Sequence, residues 1–120
     1  IVLLFEGEWF TLECKTEIIE SNHPVQSLDS EILTTHILSP ILGIRDLKTD
    51  RNIDFISGVE SSKKLNDKMN KEGYDLAFIL YPVSVEQIKK VADNQMIMPP
   101  KSTWVEPKMR SGLTIYNINE

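Results

Sequence analysis

The feature that most constrains the fold is a short apolar run in the second half of the chain. Residues 74–80 read Tyr-Asp-Leu-Ala-Phe-Ile-Leu and lie between Gly73 and Pro82. A run this short and apolar is typical of a strand that is buried on both faces of a sheet. The sequence therefore predicts a strand over 74–80 at the centre of a sheet, with residues 76–80 largely buried.

A second strand and a helix precede this run. Residues 53–56 (Ile-Asp-Phe-Ile) have the composition of a short strand, and residues 60–71 form a polar helical segment that Gly73 ends. A strand, a helix of about twelve residues and another strand make a βαβ unit, in which the two strands run parallel with a right-handed crossover. We therefore expect strand 53–56 to pair in parallel with strand 74–80.

The start of the chain predicts a β-hairpin. Apolar residues 1–6 are followed by the turn signal Glu6-Gly7-Glu8 and then by β-formers over 9–14. Alternation places Trp9, Thr11 and Glu13 on one face, and Phe10, Leu12 and Cys14 on the other. The second face is the better candidate for the core.

Two more helices are indicated by their boundaries. Asp29 is a good N-cap, with Leu28 and Leu33 as a hydrophobic staple, for a helix that Pro40 should kink or end near Ser39. Ser84-Val85-Glu86-Gln87 has the pattern of a capping box for a helix over 85–92. With a short extended piece at 102–105 and a last strand at 113–118, the sequence predicts an α+β fold with a mixed sheet of about five or six strands and roughly three helices.

Composition excludes several classes of protein. The 120 residues suit one domain, and the net charge of -5 disfavours non-specific nucleic-acid binding and docking on an anionic membrane. No apolar run approaches the length of about 18 residues that a membrane span needs. Cys14 is the only cysteine, so we expect a reducing cytoplasm. Because the chain opens with Ile1 in a strand-like run, we expect residues 1–120 to be a single C-terminal domain of a longer protein.

The strongest candidate site is the segment 99–113. It reads Pro-Pro-Lys-Ser-Thr-Trp-Val-Glu-Pro-Lys-Met-Arg-Ser-Gly-Leu. A stiff loop that concentrates cations and hydroxyls is a plausible cradle for an anion. If the piece is extended, Lys101 and Thr103 share a face and Ser102 points the other way. The anion-binding candidates are Lys101, Thr103, Lys108, Arg110 and Ser111. The alternative is that the segment only braces the last strand against the core.

The remaining reactive residues have weaker functional interpretations. His36 could be a general base or an anion contact, but a histidine beside an apolar helical stripe more often packs at the helix edge. His23 has no assigned role, and the two histidines alone cannot build a metal site. Cys14 is expected to be an inert thiol. Ser57-Gly58 is typical of a tight turn more than of an anion-binding site. No catalytic residue, metal or cofactor is predicted.

Several segments together resemble one known family, the prokaryotic domain of unknown function 1015. The resemblance covers almost the whole chain and is most specific in the Met-Pro-Pro-Lys-Ser-Thr motif at 98–103. The chain departs from the family pattern at Val105, where the family usually has Phe. The segments that carry the resemblance are residues 37–44 (Ile-Leu-Ser-Pro-Ile-Leu-Gly-Ile), 52–58 (Asn-Ile-Asp-Phe-Ile-Ser-Gly), 77–88 (Ala-Phe-Ile-Leu-Tyr-Pro-Val-Ser-Val-Glu-Gln-Ile), 98–108 and 111–113.

The resemblance implies a C-terminal position in a longer bacterial protein. Full-length members carry an upstream Asp-Gly-His-His-Arg motif that is similar to one in the ParB-like superfamily, some of whose members bind nucleotides or phosphorylate free serine. This chain lacks that motif. Two functions therefore stay open: an accessory domain that supports phosphate or nucleotide handling, or a non-catalytic interaction or dimerisation module. The expected partners are the N-terminal domain of the same protein, an anionic small molecule, and a second copy in the dimerisation reading.

Overall fold

The computed structural model describes residues 1–17, 22–58 and 62–103. Strands β1 (Val2–Phe5) and β2 (Glu8–Thr11) form the predicted hairpin. Helix α1 (Asp29–Leu33) continues directly into a π-helix (Thr34–Leu38). Helix α2 (Ser62–Glu72), strand β3 (Leu76–Ile79) and helix α3 (Val85–Asp93) follow.

The sheet in the described part of the chain has three strands in the order β2–β1–β3, and both pairs are antiparallel. The prediction of a mixed sheet of five or six strands is therefore wrong, although the α+β class holds. Strand β1 is central, whereas β3, which was expected to be central, has β1 on one side only among these residues. The expected strand 113–118 and residues 104–105 of the short extended piece lie outside the described residues.

The predicted parallel βαβ unit is also wrong. Residues 53–57 form no strand, and β3 pairs antiparallel with β1 instead. The reason is local hydrogen bonding: the carboxylate of Asp54 accepts from the N–H of Phe55 at 2.8 Å, and Asp50 accepts from Asn52 at 2.9 Å. Short side chains that bond their own backbone compete with a sheet ladder for the same groups.

A tight turn sets the register of the hairpin. Glu6 and Gly7 both have positive φ, 50° and 80°, as a two-residue turn between antiparallel strands requires. Phe5 therefore lies opposite Glu8, and Leu4 opposite Trp9. This agreement confirms the hairpin prediction.

The two faces of the sheet follow from this register. Leu3, Phe10 and Phe78 lie opposite one another on one face, and Leu4, Trp9 and Ala77 on the other. Phe78 packs against the core cluster, which consists of Leu33 of α1, Leu38 of the π-helix and Ile44 in the loop that follows. The predicted core face thus does meet the core, at Ile1 before β1 and at Phe78 on β3. On β2, Phe10 is 42% exposed.

The helical segment formed by α1 and the π-helix begins with a different N-cap from the predicted one. Leu28, not Asp29, is the N-cap, and no side chain caps it; the Leu28 carbonyl accepts from the N–H groups of Glu31 and Ile32. The π-helix ends at Leu38. This agrees with the predicted end near Ser39, which is based on the missing N–H of Pro40. Gly43 then adopts a φ of 71°, and the Ile44 N–H donates to the Leu38 carbonyl at 2.8 Å.

Helix α3 begins as predicted. The Ser84 hydroxyl accepts from the Gln87 N–H at 3.2 Å, and the Gln87 side-chain carbonyl accepts from the Ser84 N–H at 2.8 Å. Val91 on its inner side is buried. Helix α2 ends at Glu72, and the next residue, Gly73, has a φ of 76°.

Candidate interaction surface

Strand β2 exposes every one of its residues. Trp9 is 48% exposed and Phe10 is 42% exposed, although the two side chains point to opposite faces. Phe5, at the end of β1, is also exposed. Aromatic residues are enriched at protein interfaces, and an exposed apolar surface on a sheet edge is a common binding site. We call Phe5, Trp9, Phe10 and Thr11 the β2 edge surface.

The hydrogen-bond phase of the hairpin shows which backbone groups of β2 point outward. The Leu12 N–H donates to the Ile1 carbonyl at 2.8 Å, and the Ile1 amino group donates to the Leu12 carbonyl at 3.4 Å. In an antiparallel pair, hydrogen-bonded positions alternate. Leu12 and Phe10 therefore turn their N–H and C=O groups toward β1, whereas Trp9 and Thr11 turn theirs away.

Those outward groups have no sheet partner among the described residues, where β2 pairs with β1 only. Between Glu8 and Thr11 the strand contains no lysine, proline or bulge; the features that protect it as an edge are its length of four residues and the charge of Glu8. Backbone donors, backbone acceptors and aromatic side chains thus lie along one line of the surface.

A cavity of about 230 Å³ lies beyond the carboxyl end of β3, where α1 and α3 begin. Its volume is below the roughly 300–1,000 Å³ typical of small-molecule sites. Asp29 is the single charged residue among the described residues that line it, so the cavity is poorly suited to an anion. The hydroxyl oxygen of Ser30 is buried without a hydrogen-bond partner in the described structure. The lining residues are Asp29, Ser30, Leu80, Tyr81, Pro82, Val83, Gln87 and Ser102.

The first part of the 99–113 segment is a turn and not an extended piece. The Ser102 N–H donates to the Pro99 carbonyl at 3.4 Å, and the Ser102 hydroxyl donates to the same oxygen at 2.6 Å. Lys101 has a φ of 58°, as the third residue of a type II turn requires. The alternation that grouped Lys101 with Thr103 therefore does not apply. Ser102 lines the cavity, whereas Lys101 and Thr103 are exposed and do not.

Lys101 interacts through space with the carboxylate of Asp54. Lys68 forms an ion pair with Asp54 and lies 3.7 Å from Glu72. The hydrogen bond from Lys68 is the main cause that lowers the pKa of Asp54; the Phe55 N–H lowers it further, and Lys101 adds a weaker contribution through space. Asp54 thus offsets part of the positive potential that an anion would meet at Lys101.

Lys108, Arg110 and Ser111 lie outside the described residues. His36 is an exposed residue of the π-helix. His23 has a structural role that the sequence did not suggest: its Nδ1 accepts from the N–H groups of Val25 and Gln26 at 3.2 and 3.1 Å.

The β2 edge surface is not among the predicted sites, because alternation along a strand indicates which face meets the core but not which strand lies at the edge of the sheet. One signal was available: Trp9 and Phe10 are adjacent, so a strand cannot bury both on one face. An extended backbone predicts that Ser102 points away from the Lys101 face, whereas the observed turn places Ser102 at the cavity. Pro100 is a local signal for a turn, since proline is favoured at the second position of a four-residue turn; Lys101 at the third position is not.

Comparisons add no relative for this chain. No family model matches it, and no curated protein or solved structure matches it either. Within the described ranges, no helix is both long and apolar enough to cross a membrane. Across the same ranges, no group of three or more histidine, cysteine, aspartate or glutamate residues could hold a metal ion. The resemblance to the domain of unknown function 1015 stays a prediction.

Proposed function

We propose that this domain is a non-catalytic interaction module that binds an extended polypeptide segment along the β2 edge surface. The observation that carries the proposal is the outward direction of the Trp9 and Thr11 backbone groups beside exposed aromatic side chains. A partner strand would gain main-chain hydrogen bonds from these groups and apolar contacts from Trp9 and Phe10. This is the physical basis of recognition by strand addition.

The alternative, an accessory role in phosphate or nucleotide handling, has less support. Of its candidate residues, Lys101 and Thr103 are exposed outside the cavity, and Lys101 faces the field of Asp54. A binding site needs convergent groups, and the described residues do not provide them.

The test is selection of linear peptides from a displayed random library on sparsely immobilised chain. Sparse immobilisation keeps copies apart, so that the edge is open to peptide. We expect enriched peptides with alternating apolar residues that bind the wild-type chain and lose at least about tenfold in affinity on Trp9→Lys. Ile97→Lys is the matched control, since Ile97 is 88% exposed and lies outside the sheet.

The proposal is wrong if selection enriches no peptide, or if the enriched peptides bind wild type and Trp9→Lys equally. Equal binding would mean that the peptides bind to a surface other than β2.

A further inference from the structure

We infer that the strand which pairs with β2 comes from a second copy of this chain, in an antiparallel arrangement centred on Phe10. The inference rests on the proposed function, because it names the partner of the same surface. It follows from three properties of β2: the hydrogen-bond phase, the symmetry of its residues and the placement of its carboxylates.

The alternation of inward and outward backbone groups along β2 is compatible with a two-fold axis between two copies. Trp9 and Thr11 turn their backbone groups outward and lie symmetrically on either side of Phe10. If two β2 strands pair with Phe10 opposite Phe10 of the partner, Trp9 of each copy lies opposite Thr11 of the other. Each such pair exchanges two hydrogen bonds, so all outward groups at these two positions are satisfied.

The side chains also fit this register. Phe10 and its symmetry mate form a non-hydrogen-bonded pair, the type in which the Cα atoms are about 4.5 Å apart and the side chains are closest. Aromatic pairs opposite each other on a sheet are stabilising. Phe10 would then be covered on the side where the hairpin leaves it exposed.

The placement of the carboxylates allows two copies to pair through β2. A chain with a net charge of -5 repels itself unless its acidic residues are kept apart. In the register centred on Phe10, Glu8 lies opposite Leu12 of the partner and Glu13 lies opposite Gly7. No two carboxylates are placed opposite each other, so the repulsion that would oppose self-pairing is avoided at the strand itself.

Strand β3 is a weaker candidate for this role. On β3, the positions whose backbone groups point away from β1 include Phe78. The Phe78 side chain packs against the core cluster and is half-buried. Helix α2 also contacts β3. All four residues of β2 are exposed, so a partner strand can approach it without displacing any part of the described structure.

The test is sedimentation velocity of the 120-residue chain from about 10 µM to about 1 mM, the range in which weak interfaces associate. We expect the wild-type chain to dimerise. Phe10→Lys and Phe10→Glu should each weaken association by at least about tenfold, because like charges would face each other across the axis. Mixing the two variants should restore a dimer, because residue 10 of one copy lies opposite residue 10 of the other.

Two variants control for general effects. Ile97→Lys makes the same apolar-to-lysine change away from the sheet and should leave dimerisation intact. Thr11→Pro removes an outward N–H that makes no bond to β1, so it should abolish dimerisation while the circular dichroism spectrum keeps its folded form.

A wild-type chain that stays monomeric up to about 1 mM overturns the second-copy inference. If the monomeric chain still binds peptides through β2, the interaction module survives with another partner; if it binds none, both proposals fail. A dimer that persists in Phe10→Lys also overturns the inference, since it forms through a different surface.

Discussion

Leu4 and Trp9 lie directly opposite each other across β1 and β2, yet Leu4 is 2% exposed and Trp9 is 48% exposed. The two side chains point to the same face, so the difference comes from their positions in the sheet. Leu4 is on the central strand with neighbours on both sides, whereas Trp9 is on an edge strand of the sheet that the described residues form. The structure therefore separates the stabilising part of this face from the part that is open to a partner.

The capping box of α3 predicts a measurable loss of stability. Ser84→Ala should lower the free energy of unfolding by about 1 kcal/mol, because the Gln87 N–H loses its acceptor at the helix terminus. Urea denaturation measures the change. Lys89→Ala is the control, since Lys89 is exposed in the same helix and has no capping role; an equal loss in both variants would contradict the assigned cap.

Gly43 predicts a cost that depends on backbone conformation alone. Its φ is 71°, and a Cβ added there would meet nothing within 4 Å. Gly43→Ala should therefore destabilise by about 1–2 kcal/mol through left-handed strain. Gly43→Asn should cost less, because asparagine tolerates this region. Thermal denaturation should show no comparable loss for Gly58→Ala, whose φ is not positive; equal losses at both glycines would contradict this explanation.

Local signals in the sequence predicted local structure well. The Glu6-Gly7 turn, the Ser84–Gln87 capping box and the Gly73 helix end all depend on residues within a few positions of each other. The failures concern partners that are distant in the chain. Nothing local to residues 74–80 specifies antiparallel pairing with β1, and the sequence pattern favours the nearest β-like segment, 53–56. In the structure Asp54 of that segment bonds the backbone instead.

The candidate site was less predictable for the same reason. The exposure of Trp9 and Phe10 depends on β2 having a neighbour on one side only among the described strands, which is a property of the whole sheet. The 99–113 segment contains one residue that favours the observed turn, Pro100 at its second position, whereas lysine is not favoured at the positive φ of Lys101. The surroundings of Lys101 depend on Asp54, which is far away in sequence.

The ion pair of Asp54 predicts a pH dependence. The pKa of Asp54 is lowered in the folded state, so the group stabilises the fold at pH values above the ordinary aspartate pKa of about 4. That contribution is lost as the pH falls through the folded pKa. Asp54→Asn should therefore be less stable than wild type near pH 7, and the two should converge at about pH 2. A difference that stays constant across this range in urea titrations would contradict the ion pair.

The anion hypothesis for the 99–113 segment makes its own prediction. If Lys101 binds an anion, sulfate should raise the melting temperature of the chain, and Lys101→Ala should remove most of that shift. Lys63→Ala, at another exposed lysine, should not. Asp54→Asn should enlarge the sulfate effect, because it removes the carboxylate whose field reaches Lys101. If all four proteins respond equally, the segment is a structural brace.

The central claim, that β2 pairs with a second copy through its outward backbone groups, is tested most directly by amide hydrogen exchange at three adjacent residues. The Trp9 and Thr11 amides should exchange rapidly in dilute solution and become protected as the chain is concentrated. The Phe10 amide, which faces β1, should be protected throughout and is the internal control. Rapid exchange of Trp9 and Thr11 at every concentration would contradict the claim, and so would protection that is already complete in the monomer, since the edge would then be occupied within one chain.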